Sequence, residues 1–313
     1  MKDAVYSNMI DRLNTPTDKV DIILDTDAYN EIDDQFAISY ALLSPERINT
    51  VAICAAPFKN SKSTDAGDGM EKSYDEIIKL LGLMDKNELK DIVYKGSRTF
   101  LADECTPVIS EAAEKMVSIA RNYSPEKPLY IVAIGAITNV ASAILLDREV
   151  MVNNTVIVWL GGHAFHMPNN REFNLYQDIA AARIVFGCGA PVVQLPCKGV
   201  VSALTTTEGE LRAWLSDTGA LGEYLLWNTV REAESYAKGT AWSRCIWDIS
   251  ALAWLMNDGD RFMRSYLTAS PIPEYDDHYS FDPTRHPIRY VYHINRDAIF
   301  TDLFKKLRQG TGK

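Results

Sequence analysis

Three stretches of this chain are apolar on consecutive residues instead of alternating ones. Ile22-Ile-Leu24 runs into Asp25-Thr-Asp27, Tyr130-Ile-Val-Ala-Ile134 into Gly135, and Val156-Ile-Val-Trp-Leu160 into Gly161-Gly162. A strand with one wet face alternates apolar and polar residues. An unbroken apolar run must instead be buried on both faces, as in a parallel sheet covered by helices on each side. The same unit recurs along the chain, a short β-branched run followed by a turn and a helical pattern. Residues 20–24 precede a helix over 33–43, and 50–54 precede a polar loop and a helix ending near Leu83. Residues 91–94 precede a helix through Ala112 to Arg121, 129–134 a helix from near Asn139, and a helix over 180–186 precedes the run 191–195. This order predicts right-handed βαβ units in an open, mostly parallel α/β sheet with helices on both faces. The last third reads as helical over 208–216, 222–237 and 248–255, with one late strand over 288–294. One domain over 1–313 is expected, its helical C-terminal region packed beside the carboxyl ends of the strands.

Composition excludes several classes. A chain of 313 residues, 47% hydrophobic, buries roughly 75% of the surface its extended form exposes, so it needs no disulfide or zinc staple. Its 32 basic against 42 acidic residues give a net charge of -10, which argues against a phosphate-binding surface and hence against a nucleic-acid partner. No apolar run reaches the roughly 18 residues of a spanning helix, and the first residues lack the apolar stretch of a secretory signal. No membrane partner is expected. Five cysteines (Cys54, Cys105, Cys188, Cys197, Cys245) are scattered without a CxxC pair. That favours a reducing, cytoplasmic setting with the thiols as small core residues.

Ligands of open parallel sheets bind beyond the carboxyl ends of the strands. The first strand empties into Asp25-Thr-Asp27-Ala-Tyr-Asn30-Glu31-Ile-Asp33-Asp34, five carboxylates in ten residues. Crowding like charges costs free energy unless protons or a cation neutralise them. The bland alternative is a solvated acidic loop with Asp33 capping the next helix. Asp27 lies two residues from a strand buried on both faces, where an unpaired carboxylate is expensive, so a cation is expected. Oxygen-only ligands select a hard ion, Ca²⁺ or Mg²⁺. A strand ending in DxD also opens haloacid dehalogenase-type phosphatases, but the Ser/Thr, Lys and second acidic pair that such sites need are not evident.

Asp25-Thr-Asp27 followed by Asp33-Asp34 resembles the N-terminal signature of nucleoside hydrolases of the inosine–uridine type, and three further segments follow in that family's order. Gly135-Ala-Ile-Thr138-Asn139 resembles its Gly-Pro-Leu-Thr-Asn turn. Gly161-Gly162 with Glu172-Phe-Asn174 resembles its Gly-Gly and Glu-Phe-Asn stretches, and Asp248 matches its C-terminal acidic residue. Together these segments span about 70% of the chain. The resemblance implies a Rossmann-like nucleoside hydrolase fold and Ca²⁺-dependent hydrolysis of the N-glycosidic bond of a ribonucleoside or related N-riboside. It implies Ca²⁺ held by Asp27, Asp34, the Thr138 carbonyl and Asp248. Asp27 would take a proton from the attacking water, whose pKa the cation lowers. Asp33 would bind a ribose hydroxyl, Glu172 and Asn174 the far side of the sugar, and Asp25 would orient the loop from behind. A homo-oligomer, dimer or tetramer, is expected from the resemblance alone.

Three departures bear on substrate. The acidic loop carries two residues more than the family's Asp-Pro-Gly-X-Asp-Asp, which brings Tyr29, Asn30 or Glu31 near the site. The family's sugar-binding Asn after the second strand has only Asn60 or Lys59 to stand for it here. Where many members carry His before the C-terminal Asp, to protonate a departing purine, this chain has Trp247. His163 and His166 are candidate replacements, and Trp247, Trp242 and Tyr236 are candidates to line the aglycone pocket by stacking. Hydrolysis of another riboside or sugar conjugate, or sugar binding without catalysis, are the alternatives on the same scaffold.

Overall fold

The computed structural model describes residues 9–310. Its centre is an eight-stranded sheet in the order β3-β2-β1-β4-β5-β6-β12-β9. The strands are β1 (Val20–Thr26), β2 (Ile48–Ala55), β3 (Val93–Lys95), β4 (Leu129–Ala133), β5 (Thr155–Leu160), β6 (Val192–Leu195), β12 (Pro287–Ile294) and β9 (Met263–Ala269). Neighbours pair in parallel from β3 through β12, and β9 joins the edge antiparallel to β12. The apolar runs behave as their pattern requires. Ile22 and Leu24 pack into one core layer and Ile23 into the other; Val156 and Val158 likewise oppose Ile157 and Trp159.

Helices α1 (Asp33–Leu42), α2 (Ala66–Leu83), α3 (Glu111–Ala120), α4 (Thr138–Leu146), α5 (Arg148–Asn154), α6 (Phe173–Tyr176) and α7 (Ile179–Gly187) connect the strands. The C-terminal region supplies α8 (Glu208–Leu215), α9 (Gly219–Ala237), α10 (Ile249–Trp254) and α11 (Arg296–Gly310). Two short pairs lie outside the main sheet, β7 (Thr205–Thr206) with β8 (Arg244–Cys245), and β10 (Ile272–Pro273) with β11 (Tyr279–Ser280).

The late part of the chain differs from the sequence expectation. The expected single strand has an antiparallel partner, β9, and a helix over Arg296–Gly310 follows it. β9 sits at an edge with much of its side-chain surface open, so its apolar signal is weak. Residues 87–92 form a 3₁₀ turn, and the strand expected from Asp91 begins only at Val93. No helix among the described residues is long and apolar enough to cross a membrane.

Candidate metal and substrate site

The strand order reverses between β1 and β4, and the loops leaving these two strands part to opposite sides, opening a crevice at their carboxyl ends. The acidic loop leaves β1 at that point. Four of its five carboxylates, Asp25, Asp27, Asp33 and Asp34, are buried, and only Glu31 reaches solvent. Asp25 lies deepest. Its Oδ1 accepts from Asn139 Nδ2 at 2.8 Å while Oδ2 has no partner. Burial pushes this carboxyl up to about 7, against the opposing pull of the Asn139 bond. Asn139 also donates to the Ala55 carbonyl and accepts from the Ser97 amide at 2.8 Å, so one side chain ties the ends of β1 and β2 to the next loop.

Asp27 is 1% exposed, and its Oδ2 also lacks a hydrogen-bond partner. Burial first, then the charges of Asp34 and Asp33, hold its carboxyl well above the usual range. Gly135, at the end of β4, lies directly behind it; a Cβ there would come within 3.1 Å of Asp27 Cγ. Asp33 opens α1 and accepts the Trp247 amide at 3.1 Å. Asp34 accepts the Thr26 hydroxyl and faces Asp248 closely enough to share a proton with it. Asp248 stands at the N-cap of α10 yet makes no capping bond, so its carboxylate serves the cluster and not the helix. Asp33, Asp34 and Asp248 each present an oxygen within 4.8 Å of the others. Desolvation drives Asp33 and Asp248 strongly toward the protonated form as well. Buried acids so close together, with an orphaned Asp27 oxygen beside them, are costly unless a cation joins them. An all-oxygen donor set fits a hard dication.

These carboxylates line a cavity of about 280 Å³ together with Asn30, Glu31, His163, Glu172, Asn174 and Trp247, a volume at the small end for ligand pockets. Glu172 is the N-cap of α6, taking the amides of Asn174 and Leu175 at 3.0 Å and that of Gly162 at 2.8 Å. Burial raises its carboxyl to about 7 despite these three bonds. Asn174 donates to the carbonyls of Ile134 and Leu160 at 3.3 and 3.0 Å, which ties its nitrogen to the ends of β4 and β5 and leaves its oxygen for a ligand.

The remaining sequence candidates fall in different places. His163 lines the cavity but is held neutral: burial, then the Lys198 ammonium, lower it to about 4. Its Nδ1 accepts the Lys198 amide at 3.3 Å and its ring bonds the Arg171 backbone. His166 is exposed and outside the cavity. Tyr236 is 63% exposed on α9 and also outside it, and Trp242 packs against the core. Trp247 is half-buried on the cavity wall. Asn60 does not line the cavity; its Nδ2 donates to Asn30 Oδ1 at 2.7 Å, and Asn30 is the residue on the wall. Thr138 is buried at the start of α4, with its hydroxyl turned to Asp178 at 2.6 Å.

The cavity wall also carries Arg171, Tyr176 and Lys198, none of them a sequence candidate, and Cys197, expected as a core thiol but half-buried here. Cys197 and Lys198 follow the end of β6 after one intervening residue, and the strand-end rule that singled out the acidic loop applies to them equally. Arg244 was no sequence candidate either. Its Nη2 meets Glu31 Oε2 at 2.6 Å, clasping the acidic loop to β8.

The chain as a whole is similar to known proteins. A family model described as inosine-uridine preferring nucleoside hydrolase matches residues 22–276. The chain is 30% identical to the Arabidopsis thaliana protein named "Probable uridine nucleosidase 2", over 66% of this chain and 68% of that one. It is 29% identical to the non-specific ribonucleoside hydrolase RihC of Salmonella schwarzengrund (strain CVM19633), over 75% of this chain and 78% of that one. In fold it resembles a purine-preferring ribonucleoside hydrolase from Gardnerella vaginalis, with a TM-score of 0.73 at 19% identity, covering 93% of this chain and 99% of the other.

Proposed function

The chain belongs to the inosine-uridine preferring nucleoside hydrolases, enzymes that hydrolyse N-glycosyl compounds, and on that footing we propose that it cleaves the N-glycosidic bond of ribonucleosides with Ca²⁺, releasing ribose and free base. The observation that carries this reading is the meeting of Asp27, Asp33 and Asp34 with Asp248, remote in sequence, on one cavity that also holds Glu172 and Asn174. Asp27, Asp34, Asp248 and the Thr138 carbonyl are the groups that would hold the ion. When bound, the ion supplies a lowered water pKa and a fixed positive charge for the sugar hydroxyls.

The chain's own residues supply the rest. The unpartnered Asp27 Oδ2 takes the proton of the attacking water. Asp33 has one oxygen on the Trp247 amide and keeps the other for a ribose hydroxyl. Asn174, tied by its nitrogen, offers its oxygen to the far side of the sugar. Glu172 spends three bonds on backbone amides and so fixes the wall against which the sugar rests. The net negative charge of the cavity favours the oxocarbenium-like transition state. Trp247 has no proton to give a departing base, and His163 is neutral with its ring nitrogens engaged. Purine release that needs a general acid is then slower by about 10²–10⁴-fold, and bases that leave unaided are preferred. A cytoplasmic location and a dimeric or tetrameric state belong to the same reading, the first supported by five free cysteines.

A reducing-sugar assay over purine and pyrimidine ribonucleosides, with and without chelator, tests the proposal. Ribose release that chelator stops is expected. Ribose release from none of them removes the nucleosidase reading. Trp247 in place of an acid also motivates a second reading, sugar binding without turnover, for which ribose binds tightly and no riboside is cleaved.

A further inference from the structure

The lengthened acidic loop is held by a cation that the reaction does not itself use. Arg244 is only 8% exposed, and its backbone is fixed by pairing of β8 with β7. Its Nη2 bonds Glu31 Oε2 at 2.6 Å and lies 3.6 Å from Glu232 Oε1 on α9. Arg244 Nε is buried with no hydrogen-bond partner. A desolvated guanidinium with an unmet N–H is a costly arrangement unless its charge is needed where it stands. The charge of Arg244 reaches Asp33, two residues beyond its partner Glu31, and opposes the rise that burial and Glu31 impose on that carboxyl. Three residues further on, the Trp247 amide donates to Asp33 Oδ2 at 3.1 Å. Next to it, Asp248 meets Asp34. The opposite side of the loop is pinned separately, by Lys62 Nζ on the Asn30 carbonyl at 2.7 Å.

We propose that Arg244 is a positioning residue. Through its bond to Glu31, two residues before Asp33, it draws the acidic loop onto the 244–248 segment, where the Trp247 amide meets Asp33, and so fixes the aim of the Asp33 carboxylate at the sugar. What Asp33 binds rests on the hydrolase reading; the clasp itself does not. An exposed ion pair is worth little. This pair has its cation buried, and it bridges two segments that share no other ion pair among the described residues.

The test follows wild type, Arg244→Gln, Arg244→Lys and Glu31→Gln by two readouts, amide hydrogen exchange at Trp247 and ribonucleoside kinetics with Ca²⁺. In Arg244→Gln the Trp247 amide should exchange at least about tenfold faster. KM should rise about tenfold while kcat stays within about threefold. Arg244→Lys, which keeps the charge but not the fork, should recover most of both effects. Glu31→Gln, at an exposed side chain, should repeat the exchange result even where Arg244→Gln fails to fold. Asp33→Asn combined with Arg244→Gln should raise KM little more than either change alone. Unaltered Trp247 exchange in both Arg244→Gln and Glu31→Gln overturns the clasp whatever the turnover. So does a joint loss of kcat, KM and melting temperature that lysine does not recover, the signature of a merely structural residue. A wild-type protein that cleaves no ribonucleoside defeats the hydrolase reading, and the exchange result then decides the clasp by itself.

Discussion

Asp27 combines three properties that rarely coincide in one carboxylate. It is buried, it is surrounded by like charges, and one of its oxygens has no hydrogen-bond partner. Asparagine at this position keeps the shape but loses the proton acceptor. Asp27→Asn is therefore expected to lower kcat by about 10³-fold, with a smaller change in KM, in steady-state assays. His163 makes a different kind of prediction. Its folded-state pKa, about 4, lies below the ordinary value of 6.5, so folding favours the neutral ring. The stability this brings is complete above pH 6.5 and drains away as pH falls toward 4. The carboxyls of Asp25, Asp34 and Glu172, raised to about 7, give a slope of the opposite sign in the same window, so the ring is read by difference: His163→Gln should gain melting temperature relative to wild type as pH falls from 6.5 to 4, and a constant difference would show that the ring is solvated. His286, also lowered to about 4 by burial, leaves part of the slope in place.

At the scale of elements, glycine at the strand ends shapes the site. Gly162 has φ +76, and a Cβ there would land 2.0 Å from the Tyr279 hydroxyl. Gly162→Ala should cost about 1–3 kcal/mol in denaturant unfolding and weaken substrate binding, because the same turn donates its amide to Glu172. The strands beneath these turns were legible from the sequence, since a run such as Val156-Ile-Val-Trp-Leu160 admits few placements other than a sheet buried on both faces. β9 was not legible. Met263-Arg-Ser-Tyr-Leu-Thr-Ala269 pairs on one side only and leaves Tyr266 and Leu267 exposed, so its residues answer to a neighbouring strand that local periodicity cannot reveal. The site divides in the same way. Carboxylates crowded at one strand end announce themselves by number. Asn30 stands on the cavity wall with its side-chain oxygen held by Asn60, and Arg244 reaches the site only through Glu31, a partner distant in sequence.

Taken whole, the molecule keeps its acidic cluster folded at a cost that ligand binding can relieve. A dication at a hundred times its dissociation constant stabilises the fold by about 2.7 kcal/mol, which is about 5 °C in melting temperature for a chain of this size. Chelation should reverse that gain in a calorimetric scan, and Asp248→Asn should abolish it; a gain that survives Asp248→Asn would place the ion elsewhere. The net charge of -10 draws dications but does nothing for an uncharged nucleoside, so added salt should weaken metal affinity more than it raises KM. The two halves of the carboxylate cluster, the 27–34 loop and Asp248, have some two hundred residues of chain between them. During synthesis at about 5–20 residues per second, the second half emerges roughly 10–40 s after the first. Throughout that interval the early loop carries its acids without the arginine and the helix that later gather them. Translation products that stop before residue 244 would lack both Arg244 and Asp248 and leave the early acids ungathered.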